Sequence, residues 1–327
     1  MLVLSRAEVR EVLDLDALVD ALAGAMADLS AGNASAPPRV AAIAEREGLL
    51  AAMPGYVPSA RALTTKLVSV FPHNAGTALP THQAVVAAFD PADGSPVALL
   101  DGTEITAART AAGSALSARL LAREDATVLA VLGTGVQARS HARALVRVRP
   151  IAEVRVAGRN RAKAEALADE LDRELEPPVR AADSYEAALD GAGIACATTH
   201  AVEPVVRRVW LAPGTHVTSV GVNFDGREVD DATVADALVC VESRGAVLAP
   251  PPAGSPDLIQ PVRDGLVAEE AIVEVGELVA GSRPGRASPE QITLYKSVGV
   301  AVQDAAAAAL VLGAARGRGV GREVDLG

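Results

Sequence analysis

The stretch Thr127–Leu145 reads TVLAVLGTGVQARSHARAL, and the rest of the chain is organised around it. Five apolar residues predict a short buried strand, and a helical pattern begins directly after Gly133-Thr134-Gly135. A strand that turns at once into a helix leaves the first helical amides unpaired, beside the positive end of the helix dipole. The turn is therefore a candidate seat for a pyrophosphate.

Each small residue of this turn has a separate role. Gly133 permits the tight bend, Gly135 lets phosphate oxygens approach the backbone, and Ala138 allows close packing of helix on strand. In a chain rich in glycine and alanine, GxGxxA also arises by chance at an ordinary strand-to-helix turn. A second apolar run at 154–157 and a helical pattern at 162–171 complete a βαβ unit, however, and this context favours a dinucleotide site.

The end of the second strand bears on the choice of cofactor. A carboxylate there binds the ribose hydroxyls, whereas an arginine accommodates a 2′-phosphate. This chain has Gly158-Arg159-Asn160-Arg161 and no acid before Glu165. We therefore expect NADP(H) to be favoured, with NAD(H) possible. The alternative is that Arg159 and Arg161 are solvated residues at the start of a helix.

Composition limits the classes of function. The chain has 327 residues, half of them hydrophobic, which is enough for two domains. Its net charge of −11 argues against nucleic acid as a partner, and no apolar run is long enough to cross a membrane. Cys196 and Cys240 have neither disulfide nor metal-ligand spacing, so no metal is expected. The first residues lack the pattern of a signal peptide, and the expected location is cytoplasmic.

The first third of the chain predicts an antiparallel sheet beside short helices. Ser5–Glu8 is a capping-box pattern that starts a helix, and a second helix is expected at 16–29. Residues 61–71 alternate as a strand with Lys66 in the middle of an apolar face, where a lysine either reaches an edge or meets an anion. Residues 82–101 predict a hairpin next to this strand.

Two arginines of this region are candidate anion ligands. Arg109 is the only long side chain in the run 106–115, which predicts a helix of small residues, and no acid adjacent in sequence neutralises it. An arginine so placed binds a carboxylate through two parallel hydrogen bonds. Arg39 follows two prolines that fix an extended backbone, although taken alone it reads as a surface residue.

Strands and helices continue to alternate beyond residue 150. This predicts an α/β fold with a Rossmann-type doubly wound parallel sheet, joined to an α+β domain. Thr198 and the segment 220–223 fall at carboxyl ends of strands, where ligands bind in such folds. Residues 249–256 and 281–289 are expected to be loops, and the pattern at 300–312 predicts a helix that packs back on the first domain.

Several motifs, taken in order, resemble the ornithine cyclodeaminase/mu-crystallin family. They are Met53-Pro54, the strand 64–68, Pro80-Thr81-His82-Gln83-Ala84, the run 101–112, the turn with Gln137-Ala138, and Lys296-Ser297-Val298-Gly299. The resemblance covers nearly the whole chain. It implies a homodimer with a substrate-binding and dimerisation domain at 1–123, completed by 300–327, and an NAD(P)-binding domain at 124–299. The expected cofactor contacts are Gly133, Thr134, Gly135, Val136, Gln137, Arg159, Asn160, Arg161, Thr198, Val222, Ser297 and Gly299.

The resemblance also implies which residues act on the substrate. Arg39, Lys66 and Arg109 match the family's substrate-carboxylate residues, and three cations around one carboxylate would fix the α-carbon opposite a nicotinamide. Ornithine cyclodeaminases carry an aspartate shortly after the glycine that matches Gly221, whereas this chain has Asn223 there. An amide orients an imine by hydrogen bonding but is not a general base, and Asp225 is the alternative candidate for that role.

These features predict an NADPH-dependent ketimine reductase of cyclic imino acids such as pyrroline- or piperideine-2-carboxylate. Asn223 would orient the imine, and His82 or Lys66 would supply a proton, although His82 reads equally well as a satisfied histidine of the sheet. The alternatives are ornithine cyclodeaminase, with bound NAD(H) unchanged overall, an amino-acid dehydrogenase of the alanine dehydrogenase type, and a binding protein without turnover.

Overall fold

The computed structural model describes residues 1–221, 223, 225–250 and 253–325. Two compact units make up the chain: unit 1 is Met1–Arg109 with Val300–Gly327, and unit 2 is Thr110–Gly299. The division falls within the continuous helix Gly102–Leu121, earlier than the domain boundary expected at 123–124. The first turns of this helix belong to unit 1 and the remainder to unit 2.

Unit 1 contains a seven-stranded sheet in the order β15-β1-β6-β5-β4-β3-β2. Strands β2 to β6 form an antiparallel meander, β1 pairs parallel with β6, and β15 pairs antiparallel with β1. The strands are β1 (Leu2–Leu4), β2 (Val40–Ile43), β3 (Leu49–Val57), β4 (Ala62–Val70), β5 (His82–Phe89), β6 (Pro96–Asp101) and β15 (Arg322–Glu323). The helices are α1 (Arg6–Val12), α2 (Leu15–Ser30), the start of α3 (Gly102–Leu121) and α11 (Ala301–Arg318).

Helix α11 packs on the sheet of unit 1 and on α2. Its alanine-rich sequence lets it approach β3 closely: a Cβ atom added at Gly55 would lie 3.0 Å from the Cβ of Ala301. The helix is longer than the 300–312 expected, because it continues through Gly313 and Gly317 until Gly319 ends it in the left-handed conformation. This packing buries the face of β4 that carries Lys66.

Unit 2 contains an eight-stranded sheet in which every pair of neighbours is parallel, in the order β13-β12-β14-β11-β10-β7-β8-β9. The strands are β7 (Val128–Leu132), β8 (Glu153–Ala157), β9 (Val179–Ala181), β10 (Ile194–Ala197), β11 (His216–Ser219), β12 (Leu238–Val241), β13 (Val273–Glu274) and β14 (Thr293–Lys296). The helices are the rest of α3, α4 (Val136–Leu145), α5 (Arg161–Asp172), α6 (Tyr185–Leu189), α7 (Asp231–Asp236), α8 (Arg244–Val247), α9 (Pro256–Arg263) and α10 (Val275–Val279).

The Rossmann-type α/β fold expected from the sequence is confirmed. Strand order reverses between β7 and β10, and ligands bind at such a switch point in doubly wound sheets. Residues 251 and 252 of the loop expected at 249–256 lie outside the described residues, and the prediction is wrong at residue 256. Pro256 begins α9, because proline suits the first helical position and the side chain of Ser255 caps the helix.

Two buried histidines lie inside unit 2 and are held by hydroxyl groups. The Nδ1 of His141 is 2.7 Å from the carbonyl oxygen of Gln137, so this nitrogen carries the proton and Nε2 accepts from Ser114 at 2.9 Å. His216 contacts Ser117 through Nε2 at 3.2 Å and Thr293 through Nδ1 at 2.8 Å. Burial lowers the pKa of His141 to about 4 and that of His216 to about 3.

These depressed pKa values predict that acid weakens the fold. The unfolded chain takes up protons near pH 6.5 and the folded chain does not, so the free energy of unfolding falls as the pH drops below about 6.5. The loss is about 1.4 kcal/mol per pH unit for each histidine until its folded pKa is reached. Urea unfolding between pH 7.5 and 4.5 measures this slope. His141→Gln should make the slope shallower, and an unchanged slope would contradict the assignment.

No helix within the described residues is long and apolar enough to pass through a membrane.

Candidate active site

The glycine turn of unit 2 has the geometry that a dinucleotide needs. Gly133 lies just after β7 with φ +126°, and an added Cβ would lie 2.5 Å from Thr198 Oγ1 and 2.9 Å from its carbonyl oxygen. Thr198 in turn donates from its amide and its hydroxyl to the carbonyl oxygen of Leu132, at 2.8 and 3.0 Å. Only glycine fits at position 133, because the two neighbouring strand ends meet there.

The start of α4 is open where a phosphate would lie. Gly135 is the N-cap and offers no side chain to the helix, and an added Cβ would meet nothing within 4 Å. The first amides of α4 are therefore left for an external acceptor. Val136 is largely exposed and Gln137 half-buried, whereas Ala138 is fully buried against the sheet. The residues present fit the pyrophosphate of a nicotinamide dinucleotide.

The two arginines after β8 differ in their partners. Arg161 forms ion pairs with Glu165 and Asp183, two carboxylates that the sequence pattern did not connect to it. Arg159 is exposed, and its guanidinium forms no ion pair with a described residue. Asn160 caps α5 by accepting from the Lys163 amide at 3.0 Å. Arg159 is thus the better placed of the two arginines to receive an anion.

A buried ionic network joins the strand ends of unit 2, and the sequence did not predict it. Glu228 accepts from Thr199 Oγ1, Ser219 Oγ and the Gly221 amide at 2.7, 2.7 and 2.8 Å. Asp257 accepts from the Glu228 amide at 2.8 Å, and its other oxygen lies 2.9 Å from Nζ of Lys296. The network fixes the loops that follow β10 and β11. Lys296 at the end of an apolar strand was the available signal, as for Lys66.

Residues after β14 are held by a second buried acid. Glu242 accepts from the hydroxyl of Ser297 and from the amides of Val298 and Gly299, both at 3.1 Å. Gly299 has φ +75°, which suits glycine. Ser297 and Gly299, both expected near the cofactor, are thus parts of one ordered turn.

The loop after β11 carries the residues expected to act on the amine or imine. Asn223 donates from Nδ2 to the Ala201 carbonyl oxygen and accepts from the Asp225 amide, both at 3.0 Å. Among the described residues, no acceptor is recorded for the second hydrogen of its amide group. Asp225 is exposed. Val222, another expected cofactor contact, lies outside the described residues.

Unit 1 brings Lys66 and Arg109 together on a buried acid that the sequence analysis missed. Nζ of Lys66 lies 3.1 and 2.9 Å from the two carboxylate oxygens of Asp304, and Nε of Arg109 lies 3.1 Å from one of them. The three side chains are at most 6% exposed. Arg109 therefore has a neutralising acid, although no acid lies next to it in the sequence. The acid comes from α11, which lies at the far end of the chain and packs on the sheet of unit 1. Arg109 also lies beyond the first turn of α3, which begins at Gly102.

The cluster carries a surplus of positive charge. Burial, together with the charges of Arg109 and Arg39, lowers the pKa of Lys66 to about 8, although Asp304 acts in the opposite direction. Burial alone would raise the pKa of Asp304, but Arg109 and Lys66 outweigh this and hold it below its usual range. Arg39, which is half-buried, thus contributes its charge at the same place. A small carboxylate is the complementary ligand.

His82 is not brought next to Lys66. It begins β5 opposite Val70, whereas Lys66 lies opposite Val86. The four-residue offset along the strand corresponds to about 13 Å. The His82 side chain is exposed, and its Nδ1 is 3.1 Å from Thr81 Oγ1. His82 is therefore not part of the cluster that Lys66, Arg109 and Asp304 form in unit 1.

Comparison with known proteins places these features in context. The profile of the ornithine cyclodeaminase/mu-crystallin family matches residues 1–319. The ketimine reductase mu-crystallin of Mus musculus is 38% identical over 314 residues, covering 94% of this chain and 95% of that protein.

Two solved structures share the fold over essentially their whole length. The Δ1-pyrroline-2-carboxylate reductase of Thermococcus litoralis, in complex with NADH and L-proline, is 36% identical with a TM-score of 0.93 and covers 99% of this chain and 100% of its own. An archaeal alanine dehydrogenase dimer with bound NAD is 28% identical with a TM-score of 0.91 and covers 100% and 99%.

Proposed function

Because the chain belongs to the ornithine cyclodeaminase/mu-crystallin family, we propose that it reduces the C=N bond of a cyclic imino acid with NADPH. The chain is an oxidoreductase that acts on a carbon–nitrogen bond with a nicotinamide cofactor. The proposal adds the substrate class, pyrroline- or piperideine-2-carboxylate, and the preferred cofactor. The observation that carries it is the buried cation cluster of unit 1, where two cations share one acid.

The substrate carboxylate is the group that this cluster recognises. Lys66 and Arg109 contribute two positive charges and Asp304 one negative charge, so the three groups keep a net charge of +1 before Arg39 is counted. A substrate carboxylate neutralises this excess. Its binding fixes the adjacent α-carbon, which in a cyclic imino acid is the carbon of the C=N bond.

A reduced nicotinamide, when bound, would supply a hydride for that carbon. As the new C–H bond forms, the π electrons of the C=N bond move to nitrogen, which takes up one proton, and the product is the cyclic amino acid. Lys66, protonated below its pKa of about 8, is the proposed source of this proton. The remaining Nδ2 hydrogen of Asn223 is proposed to orient the imine. His82 is left out of this step, since it lies about 13 Å along the sheet from Lys66.

Ornithine cyclodeaminase activity is the less favoured alternative. It needs a carboxylate that handles the proton of the substrate amine, and Asn223 is an amide. Asp225 is exposed, and its loop is tied through Asn223 to the Ala201 carbonyl oxygen. Release of ammonia from ornithine without net formation of NADH would favour this alternative over the reductase.

The preference for NADPH is proposed from Arg159 and from the absence of an acid at the end of β8. NADH remains the alternative, because the two solved relatives described above hold NADH and NAD. Arg161 supports NADPH less than its sequence position indicated, since Glu165 and Asp183 compete for its charge.

Arg159→Ala is expected to raise the KM for NADPH by about tenfold or more, because a hydrogen bond to a charged phosphate is worth about 1.5–3 kcal/mol. The KM for NADH should change less than about twofold, since NADH has no 2′-phosphate. Steady-state kinetics with NADPH and with NADH measures the ratio of the two KM values. Arg161→Ala is the matched control, with a smaller expected effect. Equal effects of Arg159→Ala on both cofactors would remove the argument for NADPH.

A homodimer is proposed from an apolar row on the outer face of the unit 1 sheet. Val40, Ala52, Leu67 and Val85 are paired side by side across β2, β3, β4 and β5. Val40, Leu67 and Val85 are 67%, 36% and 39% exposed, although α11 buries the opposite face of this sheet. Contiguous exposed apolar surface of this kind marks an interaction site. Light scattering should give twice the chain mass, and a monomer would contradict the proposal.

The function is tested by supplying NADPH with a panel of cyclic and linear imino acids and following the loss of absorbance at 340 nm. Cyclic imino acids should be reduced with the highest kcat/KM. Pyruvate with ammonia serves as the comparison substrate for an alanine dehydrogenase. Faster oxidation of NADPH with pyruvate and ammonia than with any cyclic imino acid would overturn the proposal.

A further inference from the structure

The start of α11 meets the cation cluster of unit 1 with two neighbouring side chains. Asp304 contacts both Lys66 and Arg109, as described above. Gln303 is fully buried beside it, and its Oε1 accepts from Nη1 of Arg109 at 2.8 Å and from the Val300 amide at 3.2 Å. Two neighbouring residues of α11 therefore hold two cations that belong to different elements, Lys66 of β4 and Arg109 of α3.

The arrangement leaves one donor unused. Nε2 of Gln303 is buried and has no hydrogen-bond partner among the described residues. Leaving a buried amide group without a partner costs about 1–3 kcal/mol, so a ligand that accepts from it gains that energy. The donor belongs to a side chain that already holds Arg109. A carboxylate bound by the arginine is the acceptor of matching charge.

We propose that Asp304 and Gln303 are positioning residues of the carboxylate site: Asp304 holds Lys66 charged and Arg109 in place, and Gln303 aligns Arg109 and donates Nε2 to the substrate carboxylate. The inference rests on the proposed function only for the identity of the substrate. It needs a small carboxylate as ligand, whatever reaction follows.

The charges that face Lys66 within unit 1 decide how each substitution acts. Arg109 on α3, Asp304 on α11 and Arg39 before β2 are the charged groups that act on it. The residues opposite it on the neighbouring strands are Met53 and Val86, which carry no charge. Removing the negative charge makes Lys66 lose its proton at lower pH, whereas adding one makes it keep the proton to higher pH.

Asp304→Asn and Gln303→Glu therefore have opposite expected effects. Asp304→Asn should lower the pH above which carboxylate binding is lost by about 1–3 units, while binding at pH 6 stays within about tenfold of the unaltered chain. Gln303→Glu keeps the acceptor for Arg109 and the helix cap, loses the Nε2 donor and adds a negative charge. It should weaken binding by at least about tenfold at every pH and move the upper limit to higher pH.

Calorimetric titration with pyrrole-2-carboxylate, which has no C=N bond to reduce, measures the affinity for a carboxylate between pH 6 and 10. The full chain is used, with NADP⁺ present throughout. Asp169→Asn, an exposed substitution on α5, is the matched control and should leave the binding curve unchanged. Far-UV circular dichroism and the unfolding midpoint of each variant show whether it is folded.

The inference is supported if Asp304→Asn moves the upper pH limit of binding down and Gln303→Glu moves it up. Equal weakening at all pH values by Asp304→Asn, with an unmoved limit, would reduce Asp304 to a structural role and overturn it. Tight binding by Gln303→Glu would overturn the role of Nε2. Should the unaltered chain bind pyrrole-2-carboxylate without reducing any imino acid, the proposed function fails and the inference stands. Should it bind no carboxylate, the inference fails as well.

Discussion

Replacing Lys66 with methionine is expected to lower kcat/KM for a cyclic imino acid by about 10²–10³-fold, since losing one partner of a buried charge pair costs about 2–5 kcal/mol. Methionine has a similar length and suits a buried strand, so the sheet is kept. Arg109 and Asp304 then form a neutral pair, so Arg39 alone supplies the excess positive charge that attracts a carboxylate. The substrate loses both its anchor and the proposed proton donor.

Steady-state kinetics with saturating NADPH separates the two losses. A rise in KM reports the lost anchor, and a fall in kcat reports the lost proton. Lys163→Met, an exposed substitution on α5, is the matched control and should leave both constants unchanged. The affinity for NADPH should also stay the same in Lys66→Met. A decrease of less than about threefold in kcat/KM would show that Lys66 does not bind the substrate.

Gly133→Ala is expected to lower the affinity for NADPH by at least about 10²-fold and the free energy of unfolding by about 2–4 kcal/mol. A φ of +126° is strained for alanine, which costs about 1–3 kcal/mol. The new Cβ would also collide with Thr198 at 2.5 Å from Oγ1, and the carbonyl oxygen of the same residue cannot turn away as a side chain can. The glycine turn must therefore shift, and the first amides of α4, which are expected to bind the phosphate, shift with it.

Fluorescence titration with NADPH and urea unfolding measure the two effects. Gly281→Ala is the control, because Gly281 has φ +68° but an added Cβ would meet nothing within 4 Å. It should cost about 1 kcal/mol and leave cofactor affinity unchanged. If Gly133→Ala behaves like this control, the turn does not hold the dinucleotide.

Local patterns sufficed for much of the fold. The strand, glycine turn and helix of Thr127–Leu145 lie within a few residues of one another, and their order alone predicted the βαβ unit. Alternation along 61–71 likewise placed Lys66 on the buried face of β4. Short β2 and β13 were not predicted, since two to four residues give too little periodicity to recognise.

The parts of the site that depend on distant contacts could not be predicted in the same way. Asp304 lies 238 residues from Lys66 in the chain, and nothing in the local pattern of α11 distinguishes a buried counter-ion from a helix-start aspartate. The same holds for Glu228, whose partners come from the ends of two different strands, β10 and β11. The local sequence singled out Lys66 and Arg109 as unusual cations, and the family resemblance implied their grouping with Arg39, whereas the acid that contacts them was not predicted.

The most direct measurement follows the hydride itself. Δ1-Pyrroline-2-carboxylate is incubated with NADPH that carries two deuterium atoms at C4 of the nicotinamide, and the product is analysed by mass spectrometry and NMR. We expect proline with one deuterium at the α-carbon, formed in equal amount to the NADP⁺. Proline without deuterium at the α-carbon, or no proline at all, would contradict the reduction of a carboxylate-anchored imine.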